Sequence, residues 1–267
     1  MNRAFGVTAG LNAAVAEPLA GRCGMLGYAS VWSNDIPDAS GLDTLATFAR
    51  SVPGIDVGVA VLALDRHQPA DIARRIEELG LPRERLWVGV GAGFEERPVT
   101  RMREALPELR EALGDVKLVL AAMGPKMCAL AGEEYDGAFF NWMTPEFAAG
   151  ARERVHAGAL EAGRQPPPVL GYVRTAVGDD AAERLRKDEG FYREYHDGYR
   201  KHFERLGAEP GTVGIAAASP YVAQAELARY DDVLDVVVVR ALASATVGAM
   251  TGLAEAAAPG GTEARTI

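Results

Sequence analysis

Cysteine, histidine and basic charge are all scarce in this chain of 267 residues, and each shortage removes a class of function. The two cysteines, Cys23 and Cys128, lie far apart and in neither a C-x-x-C nor a zinc-ligand spacing, which argues against a disulfide framework and leaves two reduced, buried thiols. The four histidines fall in no H-E-x-x-H or similar pattern, so no metal is expected. Lys and Arg number 28 against 37 Asp and Glu, a formal charge of -9, and the concentrated basic face that a polyphosphate backbone demands is missing. No segment reaches the roughly 18 apolar residues of a membrane span, and Met1-Asn2-Arg3-Ala4-Phe5-Gly6-Val7 lacks the charged-then-apolar order of a secretory signal. The expectation is a cytoplasmic protein with a small-molecule partner, bound to neither nucleic acid nor membrane. No nucleophile stands beside a base, which counts against hydrolase chemistry.

What the chain does have is apolar, β-branched runs alternating with helical patterns. Eight runs can be counted: Ala4–Thr8, Tyr28–Trp32, Asp56–Leu62, Leu86–Val90, Val116–Ala121, Asp136–Phe140, Val169–Ala176 and Leu234–Val239. Val57-Gly58-Val59-Ala60-Val61 and Val236-Val237-Val238-Val239 are apolar almost continuously, as parallel strands covered on both faces are. Pro69 suits a first helical turn and Gly80 a left-handed end; Thr144-Pro145 and Ser219-Pro220 read as cap and first position of two more helices. Asp179 or Asp180 is expected to cap a long helix through Glu204, interrupted at Gly190. His156, His196 and His202 fall inside helical patterns and are assigned to solvated faces. Eight runs and this length favour a single (β/α)8 TIM barrel over residues 1–258, with a frayed tail over 259–267. An open doubly wound sheet also alternates strands and helices, but Thr8-Ala9-Gly10-Leu11-Asn12 lacks the G-x-G-x-x-G fingerprint.

In a barrel the chemistry belongs at the carboxyl ends of the strands. Gly91-Ala92-Gly93 there either lets a flat ring approach the backbone or forms a tight turn. Gly124-Pro125-Lys126-Met127 opens a helix whose free amides and lysine suit a phosphate, or is a plain helix start. Arg66 and His67 stand at the same rim, able to meet a phosphate or acidic group or simply solvated. Trp32, Asn34, Asp35, Asn141 and Trp142 surround the mouth, suited to orienting a substrate or, alternatively, serving as barrel core and loop caps.

Taken in order, Gly124-Pro125-Lys126-Met127, Leu130-Ala131-Gly132-Glu133, Asp136-Gly137-Ala138 and Thr144-Pro145-Glu146 resemble the G-P-K-M-x-x-L-A-G-E-x-x-D-G and T-P-E pattern of the luciferase-like monooxygenase family, in its branch of coenzyme F420-dependent methylenetetrahydromethanopterin reductases. Leu26-Gly27-Tyr28-Ala29-Ser30-Val31-Trp32 and Leu86-Trp87-Val88-Gly89-Val90-Gly91 are similar to it too. The resemblance implies a cis peptide at Ala60-Val61 beneath a flavin-like ring, Gly91, Ala92 and Gly93 lining that ring, and Gly124 to Met127 holding its phosphate. It also implies Asp35, with Asn34 and Trp32, near the reactive carbon, where Asp35 or Asn34 would act catalytically by tuning or protonating the reacting group, and often a homodimer. Two departures stand out. Asp35 is followed by Ile36 where relatives often carry histidine, and the stretch from Glu95 to Asp115, between the fourth and fifth strands, is shortened. The site is then either open or closed by the loop from Thr212 to Pro220 or by another subunit. The implied activity is hydride transfer between F420 and a small organic substrate. The alternatives are an FMN-dependent monooxygenase fed by a separate reductase, a non-catalytic flavin-binding protein and, from the other fold, a nucleotide-binding protein using Gly89 to Gly93.

Overall fold

Strands that are apolar on both faces need cover inside and out, and closing them into a ring supplies it. The computed structural model describes residues 2–260. Its strands are β1 (Arg3–Val7), β2 (Ser30–Ser33), β3 (Asp56–Ala63), β4 (Leu86–Gly91), β5 (Lys117–Ala121), β6 (Gly137–Asn141), β7 (Val169–Val177), β8 (Ile215–Ala217) and β9 (Val236–Ala241). Every pairing is parallel, β1 through β7 follow one another, and β9 bridges β7 to β1, so that eight strands form a closed barrel. The eight runs read from the sequence are these eight strands. The ninth, β8, lies outside the ring against Thr175 to Val177 of β7 and was not expected, because three residues of Ile-Ala-Ala carry almost no strand signal.

Ten helices cover the described barrel: α1 (Ala13–Met25), α2 (Gly41–Ser51), α3 (Pro69–Leu79), α4 (Pro98–Leu113), α5 (Pro125–Glu134), α6 (Pro145–Glu161), α7 (Ala181–Tyr195), α8 (Asp197–Leu206), α9 (Pro220–Asp231) and α10 (Val247–Ala256). Proline opens α3, α5, α6 and α9, and the hydroxyls of Thr144 and Ser219 accept from the amides of Phe147 and Val222. Gly80 ends α3 at φ 61°. The long helix after β7 departs from expectation. It passes through Gly190 unbroken and stops at His196, whose backbone is extended and whose Nδ1 accepts from the Gly198 amide at 3.0 Å to cap α8. Between β4 and β5 there is only the loop 92–97 and α4, the shortened connection that the sequence announced. Of the expected tail, Pro259 and Gly260 form a turn and 261–267 lie outside the described residues.

Alternate residues of each strand point inward, where Ala4, Trp32, Ala60, Val119, Phe139, Leu170, Tyr172 and Val238 fill the ring. Trp32 and Tyr172 pack on either side of Phe139, with ring centroids 5.0 and 4.8 Å from it, and plug the middle of the barrel. Both cysteines sit in the outer core between strands and helices, where burial pushes their thiols up to about 12 and leaves them unreactive.

The opposite end of the barrel is tied by carboxylates. Asp136 accepts the Leu118 amide and a two-pronged grip from Arg110, all at 2.8 Å, and Asp235 repeats the device with the Val169 amide and Arg152. The Leu-Ala-Gly-Glu stretch has a packing role. A Cβ on Gly132 would stand 1.9 Å from the Val155 carbonyl of α6, and one on Gly158 would stand 2.5 Å from the Ala129 carbonyl of α5. Glycine therefore sets the closeness of α5 to α6. Gly132→Ala is expected to cost about 1–3 kcal/mol by overpacking and to lower the thermal unfolding midpoint by several degrees. Gly124→Ala, whose added methyl meets nothing within 4 Å, should leave the midpoint unchanged.

Candidate functional site

Above the aromatic plug, at the carboxyl ends of the strands, lies a cavity of about 130 Å³. Its floor and near wall are small residues, Ala60 and Val61 of β3 and Ala121 of β5, with Met123 leading toward the start of α5. The peptide joining Ala60 to Val61 is cis, and the register between β3 and β4 shifts at this point. Phe139 and Tyr172 rise from below; Asn34, Asp35, Asn141, Arg174 and Arg240 stand around the rim; Tyr192 of α7 and Tyr199 of α8 close it from above.

Of the residues singled out in the sequence, Asn34, Asp35, Ala60, Val61 and Asn141 meet at this cavity. Asp35 is sealed from water, at 3% exposure of its side chain, and accepts from His67 Nε2 at 2.9 Å, Arg66 at 3.1 Å and the Gly41 amide at 3.0 Å. Burial alone would raise its carboxyl. The bonds from His67 and Gly41 and the charges of His67 and Arg66 outweigh that and hold it below the ordinary carboxylate value. Arg66 and His67 are thus gathered at the rim by Asp35. Asn34 turns its Oδ1 to the Ala9 amide at 2.8 Å and fixes the loop after β1.

Asn141 donates to the Tyr199 hydroxyl at 3.2 Å and accepts from Arg174, and burial pushes that phenol up to about 12. Gly91 and Ala92 are buried beside the floor, a Cβ on Gly91 reaching 3.3 Å from that of Ala121. Gly93, at φ 68°, packs so tightly on Asp65 that any side chain there would collide with its carboxylate. Gly124, Pro125, Lys126 and Met127 lie beyond Met123; no side chain caps α5, and Lys126 is exposed.

Two aromatics are placed elsewhere. Trp32 belongs to the plug beneath the cavity, its Nε1 donating to Ser30. Trp142 supports the cover: it is buried, adopts φ 54° and packs on Tyr192 and Phe203. A residue other than glycine rarely adopts that backbone. His202 secures it by a 2.6 Å bond to the Trp142 carbonyl. That histidine is fully buried and not on a solvated face, and burial depresses its pKa, so the neutral ring donates from Nε2. His196 is half-buried against Phe94, with centroids 4.4 Å apart, and His156 is half-exposed.

The loop from Thr212 to Pro220 does not cover the cavity. Thr212 to Pro220 supplies β8 and no lining residue; Tyr192 of α7 and Tyr199 of α8 close the mouth, with Tyr195 packed against both from the exposed side. These closely spaced tyrosines were readable in the sequence. So were the two rim arginines that went unnoticed, Arg174 and Arg240, each a lone charge near the carboxyl end of an apolar strand.

Against known proteins, the sequence model of the family described as luciferase-like monooxygenase matches residues 97–257. The 5,10-methylenetetrahydromethanopterin reductase of Methanolobus tindarius is 27% identical over 194 residues, 59% of this chain and 60% of that protein, so the chain spans about three fifths of that relative's length. An F420-dependent secondary alcohol dehydrogenase solved with an F420-acetone adduct superimposes with a TM-score of 0.73 at 17% identity, covering 96% of this chain and 98% of that one. The oxygenating constituent of 3,6-diketocamphane monooxygenase from Pseudomonas putida, solved with FMN, gives 0.64 at 13%, covering 97% and 99%. At such identities these two structures bear on the fold alone.

The Asp35 cluster carries a pH signature. A carboxyl lowered in the folded state stabilises the fold above its ordinary value near about 3.9, and that contribution disappears as pH falls through the lowered value. In denaturant titrations Asp35→Asn should lose about 1–3 kcal/mol at pH 7, and the gap to the parent should narrow steadily below about pH 4. A gap independent of pH would mean that the ionised form of Asp35 is not what matters.

Proposed function

Because the chain belongs to the luciferase-like monooxygenase family, a family of oxidoreductases, we propose that it moves a hydride between deazaflavin coenzyme F420 and a small organic substrate. The observation that carries this reading is the cavity at the strand ends, floored by Ala60, Val61 and Ala121 and leading by way of Met123 to an uncapped helix start. The identity to a methylenetetrahydromethanopterin reductase supports F420 in particular.

The residues present fit such a group at both ends. Small side chains on the floor leave a flat surface for a ring, and Gly91 adds no bulk beside it. At α5, Pro125 has no N–H and the Cys128 amide bonds the Gly124 carbonyl, which leaves the amides of Lys126 and Met127, with the Lys126 ammonium, to meet a phosphate. Cofactor sites usually enclose about 300–1,000 Å³, more than the roughly 130 Å³ found here. Tyr192 and Tyr199 must therefore swing outward for a tricycle to enter, and their return would exclude water. When bound, the deazaflavin supplies the two-electron redox chemistry; the protein positions, shields and holds charge. In this reading Asp35 keeps His67 and Arg66 oriented at the rim, and Asn34 holds the adjoining loop.

The family's description as luciferase-like monooxygenases favours one second reading, an FMN-dependent monooxygenase supplied with reduced flavin by a separate reductase. Titrating the purified chain with F420 and with FMN, followed by absorbance and then by turnover with alcohols, imines and enoates, separates the readings. F420 should bind and change redox state with substrate. Oxygen consumption with reduced FMN, and no F420 turnover, would overturn the proposal in favour of the second reading; binding of either without turnover would mark a non-catalytic carrier. Lys126→Ala should weaken the bound cofactor by about tenfold, roughly 1.4 kcal/mol, with a larger effect at low salt.

A further inference from the structure

Arg174 and Arg240 are register partners on β7 and β9, side by side on adjacent strands and both turned into the cavity. Their exposures are 3% and 7%, and each guanidinium carbon lies 5.8 Å from the centre of the Tyr172 ring. Like charges directly opposite one another in a sheet repel, and burial removes the water that would screen them. The negative groups nearby do not settle the balance. Asp188 bonds Arg174 at 3.3 Å, and Asp35 is taken by His67 and Arg66. Arg240 has one bond, to the Thr8 hydroxyl at 2.8 Å, and no carboxylate. Its Nη1 and the hydroxyl of Tyr172 are buried without a hydrogen-bond partner. A buried donor left unmade is costly, and a pair of them beside an unneutralised guanidinium is a place for an anion.

We propose that Arg240, Arg174 and the Tyr172 hydroxyl form a binding site for the carboxylate of a small, flat substrate. The guanidinium fork matches the two carboxylate oxygens, and the Tyr172 O–H adds a third donor. Burial, together with the charge of Arg174, presses the pKa of Arg240 below its ordinary value, a pressure that a bound anion relieves. Phe139, Tyr192 and Tyr199 present aromatic surface to the rest of the ligand. With Tyr192 and Tyr199 in place the space of about 130 Å³ is close to the roughly 150 Å³ that admits a benzene-sized molecule, and their outward swing would have to make room for the ring and the carboxylate ligand together. Naming the ligand a substrate rests on the oxidoreductase reading above; its binding does not.

Calorimetric titration of the full chain with benzoate and with benzamide, each alone and with saturating F420 or FMN, tests the site. Benzoate should bind at least tenfold more tightly than its neutral counterpart. Arg240→Gln should bring the two within about twofold, and Tyr172→Phe, which keeps the ring, should weaken benzoate severalfold and leave benzamide unchanged. Equal binding of both ligands by the parent, no binding of either, or a preference undiminished in the variants overturns the proposal. If Arg240→Gln does not fold, the parent ratio and Tyr172→Phe decide. Benzoate should also bind alongside the cofactor; mutual exclusion would assign the arginines to the cofactor's own anionic edge and overturn the substrate site. If neither cofactor binds, the redox reading fails by itself, and the benzoate preference still judges the anion site.

Discussion

The arrangement of the mouth depends on one buried cation, Arg174. From the seventh strand its guanidinium stacks 3.8 Å over Trp142, reaches Asn141 at the end of the sixth strand and pairs with Asp188 on the helix that follows. It lies 5.0 Å from the centre of the Tyr192 ring as well. Barrel and cover are joined through this side chain, in surroundings where a guanidinium deprived of partners would be severely destabilising. The left-handed Trp142 and the neutral His202 behind it exist to present an aromatic face to that cation and to the cover. The cover over the cavity comes from α7 and α8, after the seventh strand, and the short connection after the fourth strand contributes no lining residue.

Below the mouth, the depth of the site is set by packing. Trp32, Phe139 and Tyr172 fill the barrel where a smaller set of side chains would leave a pore, and Gly58 makes room for the indole, since a Cβ there would stand 2.5 Å from it. Whatever enters from above is stopped at this layer, beside Ala60 and Val61. The inward residues then change from apolar to polar within one step along the strands: Tyr172 gives way to Arg174, Val238 to Arg240 and Phe139 to Asn141. That step separates the part of the barrel that maintains the fold from the part available for recognition.

Much of this could be read in the residues. Strands such as Val236 to Val239 declare themselves because continuous apolar, β-branched sequence has no stable home but a covered parallel sheet, and helices opened by Thr144-Pro145 or Ser219-Pro220 carry their own caps. The Gly132 and Asp136 stretch was legible as a family mark, yet its physical role, close helix approach and a strand-end cap, needed the tertiary contacts. His202 is polar by type, which suggests a solvated face, but its neighbours Tyr199, Phe203 and Leu206 form an apolar stripe that places it inward. Glycine weakens helices, so Gly190 suggests a break, whereas the helix ends where His196 caps the next one. Arg174 and Arg240 are each a conspicuous charge in an apolar barrel strand, but their pairing appears only when β9 is laid beside β7.

In the proposed function a planar cofactor lies on the small-residue floor beneath the tyrosines of the cover. The most direct test is a crystal structure of the chain grown with F420. The ring is expected against Ala60 and Val61, with Tyr192 and Tyr199 displaced outward and Trp142 unmoved. A ring bound on another face of the barrel, or one at the mouth that leaves the cover as it is and never reaches Ala60, would contradict it.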